Sequence, residues 1–268
     1  MKVLSLFVIA CCFFLSCSKI DFRKSPQKNK CDIANQTITH YEDAKPYTYS
    51  AFKEKTYYAN GLPKTLKYVL TGTFGDEENL EYTFDYTSNT VIVHAKSTKW
   101  DPEQGQDVTT IYDFDVKFDL QTGYATQVGS STVQYENKRV KTFGPHKFEY
   151  DSYGNLVLIL RSGVINPSAD GGVRYTYDLT KKSGGQEFYR INIANFGTEY
   201  NLAEIMSWIP MQSPNRRTGF SHFTGDYQLD SETYSDHQYQ GGKLTKFKVK
   251  PGGYVNPADV KNTWNCLK

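Results

Sequence analysis

The stretch YDFDVKFDL, residues 112–120, sets Tyr112, Phe114, Val116, Phe118 and Leu120 on one parity and Asp113, Asp115, Lys117 and Asp119 on the other. Side chains of an extended chain alternate between two faces, so this stretch reads as a strand that buries one face and wets the other. The same beat returns at Leu80, Tyr82, Phe84 and Tyr86; at His146, Phe148 and Tyr150; at Val173, Tyr175, Tyr177 and Leu179; and at Phe247 and Val249. Between these runs stand Asn60-Gly61, Ser88-Asn89, Thr122-Gly123, Gly154-Asn155, Gly184-Gly185 and Gly241-Gly242, which suit tight hairpin turns. Short strands joined in this way predict an all-β fold, an antiparallel meander rolled into a barrel or half-barrel over residues 51–268.

One segment breaks the alternation. In NLAEIMSWIPM, residues 201–211, Leu202, Ile205, Met206 and Ile209 fall at helical spacing behind an Asn201 N-cap, and Pro210 stops the pattern. This predicts one short helix near residues 201–209, its apolar stripe covering the core or plugging an open end, with Trp208 as anchor. The following SPNRRTGF reads as a loop, in which Arg216 and Arg217 are solvated or touch an anion.

Aromatic residues make up 15% of the chain, with 21 Tyr, more than a core alone usually needs. The expectation is a candidate ligand face of Tyr112, Phe114, Phe118, Tyr150, Tyr175, Tyr177 and Trp208, binding an apolar or glycan ligand, or a partner protein. The alternative is a purely structural envelope protein whose aromatics fill a closed interior. An integral outer-membrane barrel is a third reading, since greasy-outside and greasy-inside walls share one period. The chain has 31 Lys and Arg against 29 Asp and Glu, a balance that argues against a nucleic-acid partner.

The chain opens with Lys2, an apolar run from Val3 to Leu15, and then Ser16-Cys17. The run is shorter than the ~20 residues of a membrane-spanning helix and has the order of a secretory signal. Leu15-Ser16-Cys17 resembles the lipobox of bacterial lipoproteins, which implies a signal peptide of residues 1–16, acylation of Cys17 by palmitate-type chains, and a lipid-anchored tether over 17–50. An ordinary cleaved signal leaving Cys17 as a free thiol is the other possibility. No Asp follows Cys17, which resembles an outer-membrane address. Lys19, Arg23, Lys24, Lys28 and Lys30 stand where surface-exported lipoproteins carry acids, so the periplasmic face is favoured over the cell surface. Cys31 and Cys266 are then the remaining pair, and in an oxidising compartment they predict a disulfide. Closing so long a loop stabilises by about 4–5 kcal/mol in the chain-entropy picture. Two Cys with no His at ligand spacing do not fill a zinc shell.

Gly219-Phe220-Ser221-His222-Phe223 misses the second Gly of a nucleophile elbow, and His222 reads as a surface or half-buried residue. Thr71 to Glu78 holds adjacent rather than alternating acids, unlike a calcium loop. The expectation is a monomeric, non-enzymatic protein with no catalytic residues, cofactor or metal.

Tyr150-Asp151-Ser152-Tyr153-Gly154-Asn155-Leu156 resembles the YD repeats of large bacterial shell proteins, with looser echoes at 58–62, 86–91 and 239–244. The motif carries hairpin geometry: an aromatic closes one strand, Gly or Asn takes the turn, and an aliphatic starts the next. In layout, residues 50–250 resemble uncharacterised Bacteroidota lipoproteins with a porin-like fold. That resemblance implies a long antiparallel sheet rolled up behind a lipid anchor, with no established activity.

Overall fold

The computed structural model describes residues 31–266 except 43–44, 60, 72–76, 88, 162–170, 190–197, 211–212, 226 and 254–255. The expected signal peptide and Cys17 lie outside the described residues, as does most of the stretch weighed as a calcium loop. The first half of the sheet is β1 (Cys31–Glu42), β2 (Lys45–Ser50), β3 (Phe52–Tyr57), β4 (Pro63–Thr71), β5 (Glu77–Tyr86), β6 (Thr90–Asp101), β7 (Gln106–Phe118), β8 (Ala125–Val128) and β9 (Ser131–Glu136). Next come β10 (Arg139–Phe143), β11 (His146–Tyr150), β12 (Leu156–Arg161) and β13 (Gly171–Lys182). The helix α1 (Thr198–Ile205) precedes β14 (Asn215–Thr224), β15 (Tyr227–Gln240), β16 (Lys243–Pro251) and β17 (Ala258–Cys266).

From β3 to β17 each strand pairs antiparallel with the next, as a meander requires. β17 then pairs with β1, and β1 with β2. Among the described residues no ladder joins β2 to β3. The chain itself crosses that gap at Ala51, whose N–H donates to the Gln36 carbonyl at 2.7 Å. The sheet thus curls round to its own beginning without being sealed by hydrogen bonds along that seam.

Parity sets the wall. Between β6 and β7, Val91 faces Val116, Val93 faces Phe114 and Ala95 faces Tyr112, all turned to the core. The alternate pair His94 and Asp113 faces out, with the imidazole 2.9 Å from Asp113 and 3.3 Å from Asp85. Outside β4, β5 and β6, Glu81 holds Lys67 at 3.0 Å and Lys96 at 3.2 Å. A wall charged outside and apolar inside is the reverse of one that faces lipid, and β4, β5 and β6 have that form.

Three expectations fail locally. Leu120 is exposed because β7 ends at Phe118, where the Asp119 carboxylate accepts from the N–H groups of Gln121 and Thr122, both at 2.7 Å, and turns the chain. Leu179 is exposed because a bulge between Asp178 and Lys182 breaks the β13–β14 register. Residues 31–50, expected as the end of a tether, form β1 and β2 and complete the sheet.

Described parts of the connection between β13 and β14, Phe188, Tyr189 and α1, are buried in the interior. Instead of a hairpin turn at Gly184-Gly185, the chain passes inside the wall. Gln186 N–H donates to Gly242 O at 2.8 Å, and Leu244 N–H to Gln186 O at 3.0 Å. Two buried amides facing each other across β1 and β17 hold the next residues: Gln36 Nε2 donates to Tyr189 O at 2.7 Å, and Asn262 Nδ2 to Phe188 O at 2.8 Å. Helix α1 starts three residues before the expected position, so Asn201 is an interior helical residue rather than a cap, and it is buried. Tyr200, Leu202, Ala203 and Ile205 bury against the core, Tyr200 meeting Phe143 edge-on at 5.4 Å. The helix ends before Pro210, at Ser207, whose φ of 54° is left-handed. There Ser207 N–H bonds Glu204 O and Trp208 N–H bonds Ala203 O, a Schellman closure. Trp208 lands edge-on against Phe84 and Phe118, and its carbonyl accepts from Ala125 N–H at 2.9 Å.

The expected disulfide joins Cys31 to Cys266, which are register partners of β1 and β17. It closes first strand to last rather than tether to strand. Replacing both Cys by Ser should cost about 5 kcal/mol in the chain-entropy picture, read as a lower urea midpoint; equal melting with and without reductant would dismiss the bridge. Asn262→Ala removes the acceptor of one Gln36 amide N–H and the side-chain donor to Phe188 O, and should cost about 1–3 kcal/mol. An unchanged midpoint would mean that this amide does not hold the inner segment.

Candidate functional site

Six of the seven residues expected as a ligand face pack in or against the core, as separate groups rather than as one open surface. Tyr112 and Phe114 stack at 6.1 Å, half-buried against the core. Phe118 and Trp208 are buried against each other. Tyr150 donates its hydroxyl to Val140 O at 3.0 Å, and burial pushes its phenol up to about 12 while the Arg139 guanidinium pulls the other way. Tyr177 donates to Leu156 O at 2.8 Å. The inner segment takes the place that a ligand on a concave sheet would have had.

The YD-like turn is a hairpin between β11 and β12. Asp151 Oδ1 accepts from Asn155 N–H at 2.8 Å, and Gly154, at φ 89°, takes the left-handed corner. Asn155 is buried and bonds Asn215 in both directions, at 2.9 and 3.1 Å, fixing the place where the inner segment returns to the wall. Sequence analysis found the turn but not this second role.

Arg217, expected in a loop, is buried on β14. Its guanidinium lies 4.3 Å from the Tyr175 ring centre and 4.9 Å from that of Tyr189. Close approach to aromatic rings is a known way to hold a desolvated guanidinium. His222 is buried too, bonded to Asp230, while Ser221 points to the other side of the strand, so the pair makes no nucleophile and base. Among the described residues no group of His, Cys, Asp or Glu is arranged to hold a metal.

A cavity of about 280 Å³ opens at the disulfide end of the interior. Ile33 and Trp264, two residues inside the bridge, form one wall; Phe188 and Glu187 of the inner segment, Glu204 of α1, and Tyr124 of the β7–β8 turn form the others. Trp264 is fixed by donation from Nε1 to Leu244 O at 2.9 Å. The Gln186 amide at the rim is spent on Cys31 O and on Ser207 Oγ. Glu187 accepts from Tyr189 at 3.0 Å and from Tyr239. The side-chain carboxyl of the half-buried Glu204 has no hydrogen bond or ion pair among the described residues. Burial pushes its carboxyl up, and the charge of Arg217 partly offsets that push. Sequence analysis missed both glutamates. Glu204 had left one trace, an acid set between the apolar residues Ala203 and Ile205.

A second, wider hollow of about 660 Å³ lies on the outer wall over β15, β16, β17 and β1. There Lys248 pairs with Asp236 at 2.8 Å and the Tyr41 hydroxyl donates to Asp259 at 2.6 Å.

No protein-family model matches the chain, and no curated protein matches it. Among solved structures, it is similar to a porin-like protein from Bacteroides uniformis ATCC 8492, at 12% identity over 87% of this chain and 96% of that one, with a TM-score of 0.39. It is similar also to a porin-like protein from Bacteroides vulgatus ATCC 8482, at 11% identity over 89% of this chain and all of that one, with a TM-score of 0.34.

Proposed function

We propose that the protein is a non-enzymatic, lipid-anchored protein of the bacterial cell envelope that takes a small ligand at the disulfide-end mouth of a filled β-barrel. The cavity carries this reading: it combines aromatic walls with an unsatisfied carboxyl, the pattern of a small-molecule site. The anchor rests on Cys17 and the apolar run before it, and the outer membrane, periplasmic side, on the residues that follow. The Cys31–Cys266 bridge supports an oxidising compartment. In this reading the membrane is reached through acyl chains, the folded part acts as a monomer, and the partner is a small molecule or an envelope component rather than a nucleic acid.

The structural alternative also has an observation in its favour. The aromatic residues expected to meet a ligand are packed inside, as a scaffold protein would have them. Native mass spectrometry of the full chain separates the two: a co-purifying small molecule supports binding, and a clean apo mass supports the scaffold. Labelling cells with radioactive palmitate tests the anchor. Wild type should carry label and Cys17→Ala should lose it; equal labelling, or none in either, would remove the lipoprotein reading.

A further inference from the structure

We infer that the cavity at the disulfide end binds a small organic ammonium, held between the Glu204 carboxylate and the rings of Tyr124, Phe188 and Trp264. The inference rests on the ligand-binding reading above and names the chemistry of that ligand. Its ground is what the cavity leaves unspent. The polar groups at the rim are already engaged: Glu187 by two phenols, Gln186 by Cys31 O and Ser207. The Glu204 carboxylate on α1, acceptor-only, lines the same cavity as the rings of Tyr124, Phe188 and Trp264 and has no side-chain partner among the described residues. A sugar needs several donors and acceptors to replace its water; an ammonium needs one anion and the faces of rings. The volume, about 280 Å³, is below the usual range for drug-sized ligands and suits a group the size of choline or ethanolamine. The charge of Arg217 favours the Glu204 carboxylate, while its guanidinium lies against the rings of Tyr175 and Tyr189 and does not line the cavity.

Two sources carry such a group, a free amine and the headgroup of an ethanolamine lipid. The cavity lies at the end where Cys31 begins the fold, so the segment leading back to Cys17 leaves from the same side. A headgroup is therefore within reach of the mouth.

The test is calorimetric titration of the full chain in a maltoside detergent with choline, ethanolamine, a short-chain ethanolamine phospholipid, and 3,3-dimethylbutanol, the neutral isostere of choline. An ammonium probe should bind on the order of tenfold more tightly than the isostere. Glu204→Gln, which keeps the shape and removes the charge, should remove that preference with the melting transition retained. Trp264→Leu should weaken the ammonium probes by about tenfold. Tighter binding of the phospholipid than of ethanolamine assigns the headgroup; equal or weaker binding assigns the free amine. Equal binding of choline and its isostere to wild type overturns the inference, as does an unchanged preference in Glu204→Gln. Failure of every ammonium probe overturns it too. In that case another molecule found with the chain by native mass spectrometry would leave the ligand-binding reading standing, and an empty chain would remove both.

Discussion

Gln36 and Asn262 face each other across β1 and β17 with their side chains turned into the barrel, and the interior depends on how those amides are satisfied. An unpaired amide in an apolar interior costs more than most single contacts return. Here the partners are carbonyls of the inner segment at Phe188 and Tyr189, together with Leu244 of the wall. The wall therefore contains polar groups that only a chain passing inside can satisfy, and that chain brings Phe188, Tyr189 and α1 with it. Aliphatic residues at these positions would pack against many fillings; amides select one.

The aromatic content follows from the same arrangement. A curled sheet of short strands encloses more space than its own aliphatic side chains fill, and rings that meet edge-on close the space between wall and plug. Tyr200 touches Phe143 and Phe148 from the helix, Trp208 touches Phe84 and Phe118, and Phe188 lies against Phe52. Tyrosine suits this place because its hydroxyl can reach a backbone carbonyl at the margin, as Tyr135 reaches Ala125 O at 2.6 Å. High aromatic content is thus explained by filling, and the ligand question narrows to the cavity that the filling leaves.

Parity made most of the wall legible, since a strand with one wet face declares its register in sequence. It failed where the backbone departs from strict alternation. In β1 a bulge between Ile33 and Asn35 interrupts the beat, and the next inward residue is Gln36, so a core strand looked like a polar linker. At Leu179 another bulge reversed the face, and at Leu120 a carboxylate-closed turn ended the strand early. The helix was legible in kind but displaced, because the signal that ends it is a left-handed Ser207 rather than Pro210. The burial of Arg217 and the place of Glu187 were not legible, and Glu204 left only an acid between Ala203 and Ile205. Their meaning comes from residues far away in the chain, Tyr175 and Trp264 among them, and alternation carries no information about which strands meet across an interior.

Because hairpins alternate between the two ends of a meander, its ends differ in character. The end holding the disulfide also holds both ends of the described chain, the return of the inner segment at Asn155 and Asn215, and the cavity. The other end carries the tips of β6 and β7, where residues 102–107 are exposed and Trp100 stands in solvent, and the start of β15 with Tyr227 and Leu229 exposed. On the proposed reading of Cys17, acyl chains hold the disulfide end toward the bilayer and leave the hairpin tips facing away. The rigid end, cross-linked and plugged, then bears the anchor and the ligand, while the hairpins furthest from it contribute little to the core and are free to vary without disturbing the fold.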